Sequence, residues 1–196
     1  MILKGLKKFS DDYACPVLGG DLSKGKQPNV AVTVCGAIDQ ENFMSRDGAK
    51  IGDQVFVTGT LGLAKQGLTI LKSNSKEIDL SSKYVSKFIN PNLNFKFGQA
   101  ISSYATSCID VSDGFISDLG HICQASKVGA SIDSDLIPIY GELEDALTWG
   151  DDYELCFTAP SKAQSDVFNA AKECGCLLYT SPSPRDLSTS RMPSSA

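Results

Sequence analysis

Histidine and tryptophan each occur once, as His121 and Trp149, and that scarcity narrows the chemistry before any motif is read. With one histidine, and with Cys174 and Cys176 as the one close cysteine pair, a zinc centre is poorly supplied with ligands. There is no cluster of Lys and Arg, and the net charge is −5, so the electrostatic footprint of a nucleic-acid groove is missing. No apolar stretch reaches the roughly 18–20 residues that span a bilayer, so a membrane partner is not expected. A signal peptide is not expected either, because Ile2, Leu3, Leu6, Phe9 and Tyr13 alternate with lysines; their spacing predicts an amphipathic helix. The seven cysteines are odd in number, and Cys15, Cys35, Cys108 and Cys156 stand in apolar, strand-like settings. They read as small hydrophobic residues kept as thiols, which makes the reducing cytoplasm the expected compartment.

What remains is an ordinary globular balance. A hydrophobic content of 42% against 21% charged residues supplies a core, and 196 residues make one domain and part of another. The pattern predicts strands in "CPVLGG", "NVAVTVCGAI", "QVFVTG", "TSCIDVS", "VGASIDSDL" and "YELCFTAP". It predicts helices in "LGLAKQGLTIL", "SKYVSKFI", "NFKFGQAISSYA", "DGFISDLGHICQAS" and "KAQSDVFNAAKECG". The alternation implies helices laid on a mixed sheet, an α/β or α+β fold. Residues 177–196, "LLYTSPSPRDLSTSRMPSSA", are rich in Ser, Pro and Arg and lack any period; they read as a disordered tail resembling translated adapter sequence.

Several short stretches concentrate polar chemistry at strand ends. In "IDVSDGF", residues 109–115, Asp110 closes a strand and Asp113 opens a helix. Helix capping by Ser112 or Asp113, typically worth about 1 kcal/mol, explains part of this; a divalent cation held by Asp110 and Asp113 explains it equally well. "GGDLSKG" puts Asp21 after two glycines, which is either an ordinary Asp turn or a phosphate approach with Asp21 on a metal. Gly59 and Gly62 in "VTGTLGLAKQG" could set helix N–H groups against a phosphate, but close strand-to-helix packing is the stronger reading. Arg46 in "SRDGAK" is a solvated turn residue or an anion clamp. Trp149 precedes Asp151 and Asp152 in "TWGDDYELCF"; core packing is its plainer role, and a ring beside paired carboxylates would also suit a cationic heteroaromatic ligand.

In order and spacing, "GGDLSKG", "SRDGAKIGDQVFVTGTLG", "IDVSDGFISDLGHI", "VGASIDSDLIPI" and "GDDYELCFTAP" resemble the thiamine-monophosphate kinases, within the aminoimidazole-ribonucleotide-synthetase-like superfamily. The resemblance covers roughly residues 2–176 and implies a fold of two parts. Residues 1–46 would be a remnant of the N-terminal ATP-binding and dimerisation domain, and residues 47–176 an incomplete C-terminal α/β domain. It implies ATP as phosphoryl donor, Mg²⁺ as cofactor, thiamine phosphate as acceptor, thiamine diphosphate as product and a homodimer for the whole protein. Carried over by motif, Gly20, Asp21, Arg46 and Ser112 would contact ATP. Asp21, Asp110 and Asp113 would hold magnesium, and Asp151, standing where the family has glutamate, would meet the thiamine substrate. No covalent nucleophile is expected, because phosphoryl transfer runs on positioning and charge neutralisation.

Departures from the family pattern accompany the likeness. The family's upstream acidic cluster has no counterpart, Leu63 follows Gly62 where the family has aspartate, and its Arg-Pro-x-Pro-Arg survives only as "NPNLN", residues 90–94. The segment between Pro138 and Trp149 is short, and the final substrate-facing strands are replaced by the tail. The chain is therefore expected to hold half of a site and to be inactive as it stands. Two rivals remain open: another ATP-using synthetase of the superfamily, and a non-catalytic fragment that keeps only the fold.

Overall fold

The computed structural model describes residues 2–73 and 78–180 of the 196. The chain divides into two compact units, Met1–Ala37 and Ile38–Ala196.

The first unit contains one helix, α1 (Ile2–Asp12), as its apolar spacing predicts. None of its residues is buried; Ile2, Leu3, Phe9 and Tyr13 are exposed. Lys7–Asp11 and Lys8–Asp12 pair one turn apart, exposed surface bridges that add little to stability. The strands predicted in residues 15–20 and 29–38 do not form. Val30, Val32 and Val34 alternate as a strand should but stay exposed and unpaired. A strand needs a neighbour for its N–H and C=O groups, and among the described residues none lies alongside.

The second unit is built on a four-stranded antiparallel sheet. Its strands are β1 (Asp53–Thr58), β2 (Ser107–Asp110), β3 (Leu155–Pro160) and β4 (Leu178–Thr180), in the order β2-β3-β1-β4. The helices are α2 (Leu63–Lys72), α3 (Lys83–Ile89), α4 (Phe95–Ile101), α5 (Phe115–Ser126), α6 (Leu143–Thr148) and α7 (Gln164–Cys174). All six residues of β1 are buried, because both faces of the sheet are covered. On one face Val55, Val57, Ile109 and Cys156 pack with Phe115, Leu119 and Ile122 of α5. On the other, Phe56, Phe157 and Ala159 pack with Phe97 and Ile101 of α4 and with Val167, Ala170 and Ala171 of α7. Phe56 and Phe157 stack with ring centroids 5.0 Å apart, and Phe97 meets Phe157 edge-on at 5.9 Å. Each fully buried Phe, Leu or Ile contributes about 1.5–3 kcal/mol.

The fold is α+β, and the sheet is antiparallel rather than mixed; the parallel pairing among the described residues is an isolated bridge, Leu61 to Ile139. Residues 128–136 also depart from expectation. They run without strand partners into a short 3₁₀ turn at Ser134–Leu136, where Asp133 accepts the Asp135 amide. The tail is corrected at its start. Leu178–Thr180 pair with Thr58, Val57 and Phe56 of β1, and Leu177 O accepts the Gly59 amide at 3.0 Å. A three-residue strand has no period to betray it; the open edge of β1 recruits it. The rest of the expected tail, residues 181–196, lies outside the described residues.

A chain ending at Cys176 should therefore melt below one ending at Thr180. Loss of the β4 ladder and of the packing of Leu178 and Tyr179 should cost about 2 kcal/mol, a fall of roughly 4–8 °C in a thermal scan followed by far-UV circular dichroism.

Candidate active site at one end of the sheet

Because β3 runs antiparallel to both β1 and β2, the end of β1, the end of β2 and the start of β3 share one edge of the sheet. Three loops leave that edge: residues 59–62, 111–114 and 149–154. The second and third extend the β2–β3 ladder: Val111 N–H donates to Glu154 O at 2.8 Å, Tyr153 N–H to Val111 O at 2.8 Å, and Asp151 N–H to Ser112 O at 3.0 Å. The approach is close enough to demand glycine at position 150, where a Cβ would stand 1.9 Å from Ser112 O. Asp151 (φ 66°) and Tyr153 (φ 49°) both take the left-handed conformation, which costs roughly 1–2 kcal/mol for such residues and has to be held by the surroundings.

The acidic residues of this edge fall into two classes. Asp118, Asp152 and Glu154 are buried, at 1%, 0% and 6% exposure, and each is satisfied by protein donors. Asp118 Oδ2, in the first turn of α5, accepts the amides of Ser112 and Asp113, both at 3.0 Å. Asp152 accepts Gly62 N–H at 2.7 Å and Ala64 N–H at 3.1 Å. Burial raises the Asp152 carboxyl above its ordinary pKa, and those two N–H groups pull against the rise. Glu154 pairs with Lys87 of α3, takes the Thr58 hydroxyl and accepts Asn94 Nδ2 at 2.9 Å. It also requires glycine at 59, whose Cβ would fall 2.2 Å from the Glu154 carboxylate.

Asp110, Asp113 and Asp151 are different. Asp110 and Asp113 are exposed and Asp151 half-buried, and among the described residues none of the three carboxylates accepts a hydrogen bond from the protein. Oxygen donors left free in this way suit a hard cation such as Mg²⁺, or a cationic ligand. Ligand atoms of Asp113, Asp118 and His121 lie within 4.8 Å of one another; Asp110 is outside that group.

The structure thus brings Ser112, Asp113 and Asp151 together, with Asp110 at the strand end just before them. Arg46 is placed elsewhere. Ser45 O accepts Cys108 N–H, and Arg46 O accepts the Ser126 hydroxyl at the far end of α5, so Arg46 runs beside β2 with its side chain exposed. Gly20 and Asp21 belong to the first unit, exposed, with Asp21 accepting the Ser23 hydroxyl at 2.9 Å.

One reading of the motifs is corrected, and the stronger reading of another is supported. Neither Ser112 nor Asp113 caps α5; Asp118 reaches back to bind their amides instead. In the glycine turn before α2, Leu177 O takes the amide of Gly59, Pro138 O that of Leu61, and Asp152 those of Gly62 and Ala64. Packing is what these glycines serve. Trp149 carries Lys65 Nζ over its ring at 5.2 Å, so one face already holds a cation. Cys108 is no nucleophile: burial, and then the charge of Asp110, push its thiol up to about 12. Sequence reasoning missed Asp118, Glu154, Lys87 and Asn94 as builders of the site, and it paired Asp152 with Asp151 toward a ligand, whereas Asp152 is fully buried on the amides of Gly62 and Ala64. Only the spacing of Asp118 after Gly114, in the first helical turn, hinted at a role.

Residues 50–180 match the family described as AIR synthase related protein, C-terminal domain, and the chain belongs to that family. The curated relatives it matches include thiamine-monophosphate kinases. It is 38% identical to the thiamine-monophosphate kinase of Escherichia coli (strain K12) over 174 residues, 79% of this chain and 53% of that one. The crystal structure of thiamine-monophosphate kinase from Stenotrophomonas maltophilia K279a superposes with a TM-score of 0.67 at 29% identity, covering 76% of this chain and 53% of that chain. AaThiL complexed with AMPPCP and TMP superposes with a TM-score of 0.60 at 30% identity, covering 71% and 47%. The chain spans between 50% and 62% of the length of the curated relatives it matches.

The buried pair beneath the site is open to a direct test. Glu154→Gln strands the Lys87 ammonium in a nearly closed setting and should cost about 3 kcal/mol in urea unfolding. Adding Lys87→Met should recover much of that loss, so the double variant should be more stable than the sum of the two single changes predicts.

Proposed function

We propose that this chain forms part of a thiamine-monophosphate kinase, an enzyme that passes the γ-phosphoryl group of ATP to thiamine phosphate. The observation that carries the reading is the split among the carboxylates. Asp110, Asp113 and Asp151, the residues the family motifs single out, are the ones left without protein donors, while the buried acids beside them are spent on structure. The relatives and the complex with AMPPCP and TMP support the same reading.

In this proposal Asp110 and Asp113 hold Mg²⁺, whose charge, when bound, would offset the repulsion between two phosphorylated reactants. Asp118 fixes the loop that carries Asp113. Because it already occupies the Ser112 amide, Ser112 meets ATP through its hydroxyl. Asp151 offers its carboxylate to the cationic part of the thiamine phosphate. No side chain here forms a covalent bond with substrate. Gly20 and Asp21 are proposed as further contacts to ATP, with Asp21 also on magnesium; Arg46, hydrogen-bonded to Ser126 at the far end of α5, is not proposed on the ATP that Ser112 meets. A homodimer is proposed for the whole protein; Val17, Leu18, Leu22, Val30, Val32 and Val34 of the first unit are exposed in the single chain. Among the described residues no helix is long and apolar enough to cross a membrane. The proposed setting is the cytoplasm.

The reading is tested by assaying thiamine diphosphate formation with Mg²⁺ and ATP, for the chain alone and for a fusion to the segment of the Escherichia coli relative that it does not match. The fusion should turn over. Asp110→Asn in it should lower kcat at least 100-fold with a melting temperature within about 2 °C of the parent. A fusion that binds neither ligand, or an Asp110→Asn variant with unchanged kinetics, would defeat the proposal.

A further inference from the structure

Asp152 stands in the loop that presents Asp151, yet it is fully buried and both its oxygens are taken, by Gly62 N–H at 2.7 Å and Ala64 N–H at 3.1 Å. Its neighbours on either side, Asp151 and Tyr153, are both left-handed, at φ 66° and 49°. A chain does not hold two such residues around a single position unaided. Their fastenings toward β2 are made by the main chain: Asp151 N–H to Ser112 O and Tyr153 N–H to Val111 O. On the other side, residues 149–153 are tied to the turn entering α2 through the Asp152 carboxylate. The loop is thus stretched between two anchors, one of backbone and one of side chain. Releasing the side-chain anchor frees Asp151 to relax out of its strained conformation and away from Ser112.

We propose that Asp152 is a positioning residue for the acceptor substrate: by clamping residues 149–153 to the first turn of α2, it holds Asp151 against Ser112 with its carboxylate free for thiamine phosphate. The substrate part of this inference rests on the function proposed above; the clamp itself does not. Asp152 touches neither Asp110 nor Asp113, so its loss should damage the acceptor side of the site and spare the side assigned to ATP.

The test compares the 196-residue chain with its Asp152→Asn variant, which keeps the shape and loses one acceptor oxygen. Amide hydrogen exchange is read residue by residue, and the binding of thiamine monophosphate and of Mg·ATP is measured by calorimetry on the same two proteins. Exchange at Asp151 and Tyr153 should speed up at least tenfold, while Val57 and Phe157 in the sheet stay within twofold. Thiamine monophosphate affinity should fall at least tenfold and Mg·ATP affinity less than twofold. Unchanged exchange at Asp151, equal acceleration in loop and sheet, or equal loss of both ligands would overturn the proposal. If the 196-residue chain, which holds half of the site, takes up no thiamine monophosphate, the ligand comparison is read in the fusion described above, where a lack of uptake counts against the proposed function and the exchange comparison alone decides the clamp. Should Asp152→Asn fail to fold, Asp152→Ser, which is smaller and keeps one acceptor for Gly62, takes its place.

Discussion

A carboxylate taken out of water has to be met by donors, and at one edge of this sheet that requirement organises everything around it. Asp118 collects the amides of Ser112 and Asp113, Asp152 those of Gly62 and Ala64, and Glu154 the Lys87 ammonium with Thr58 and Asn94. Asp152 and Glu154 join segments far apart in sequence, and Asp118 folds the start of α5 back on the loop before it. Without these ties the three loops would be ordinary surface connections. With them they form a surface whose shape is set by buried bonds and whose remaining acids are free.

This division of labour gives the acidic composition of the site a physical meaning. Four aspartates and a glutamate crowd into "VSDG" with its preceding residue and into "GDDYE". Were all five exposed, mutual repulsion would loosen the edge; were all buried, each would need its own donors. The fold buries the two that follow Asp151, and the exposed three are left facing solvent or half-exposed at the loops. Left-handed backbone at Asp151 and Tyr153 is tolerated because the bonds on both sides of it are satisfied.

Much of the α+β layout could be read in advance. The helices α2, α5 and α7 have apolar residues at helical spacing, and β1 and β3 are rich in Val, Phe and Thr between turn residues. Reading failed wherever a strand depends on a neighbour. Residues 29–38 carry a clean alternation and no partner, so they stay unpaired; Leu178–Thr180 carry almost no signal and pair with β1. The site followed the same rule. Asp110, Asp113 and Asp151 announce themselves by crowding at strand ends, whereas Lys87 and Asn94 look like unremarkable residues of a helix and a loop until Glu154 lies against them.

The order of residues alone determined every helix but the six-residue α6, that a sheet would form the core, and which acids would gather at strand ends, since these follow from period and from local chemistry. Only the tertiary structure decided which acids are buried and bonded and which are left free. Burial is a property of what packs from elsewhere in the chain, and the donors that satisfy Asp152 and Glu154 come from positions 60–96 residues away.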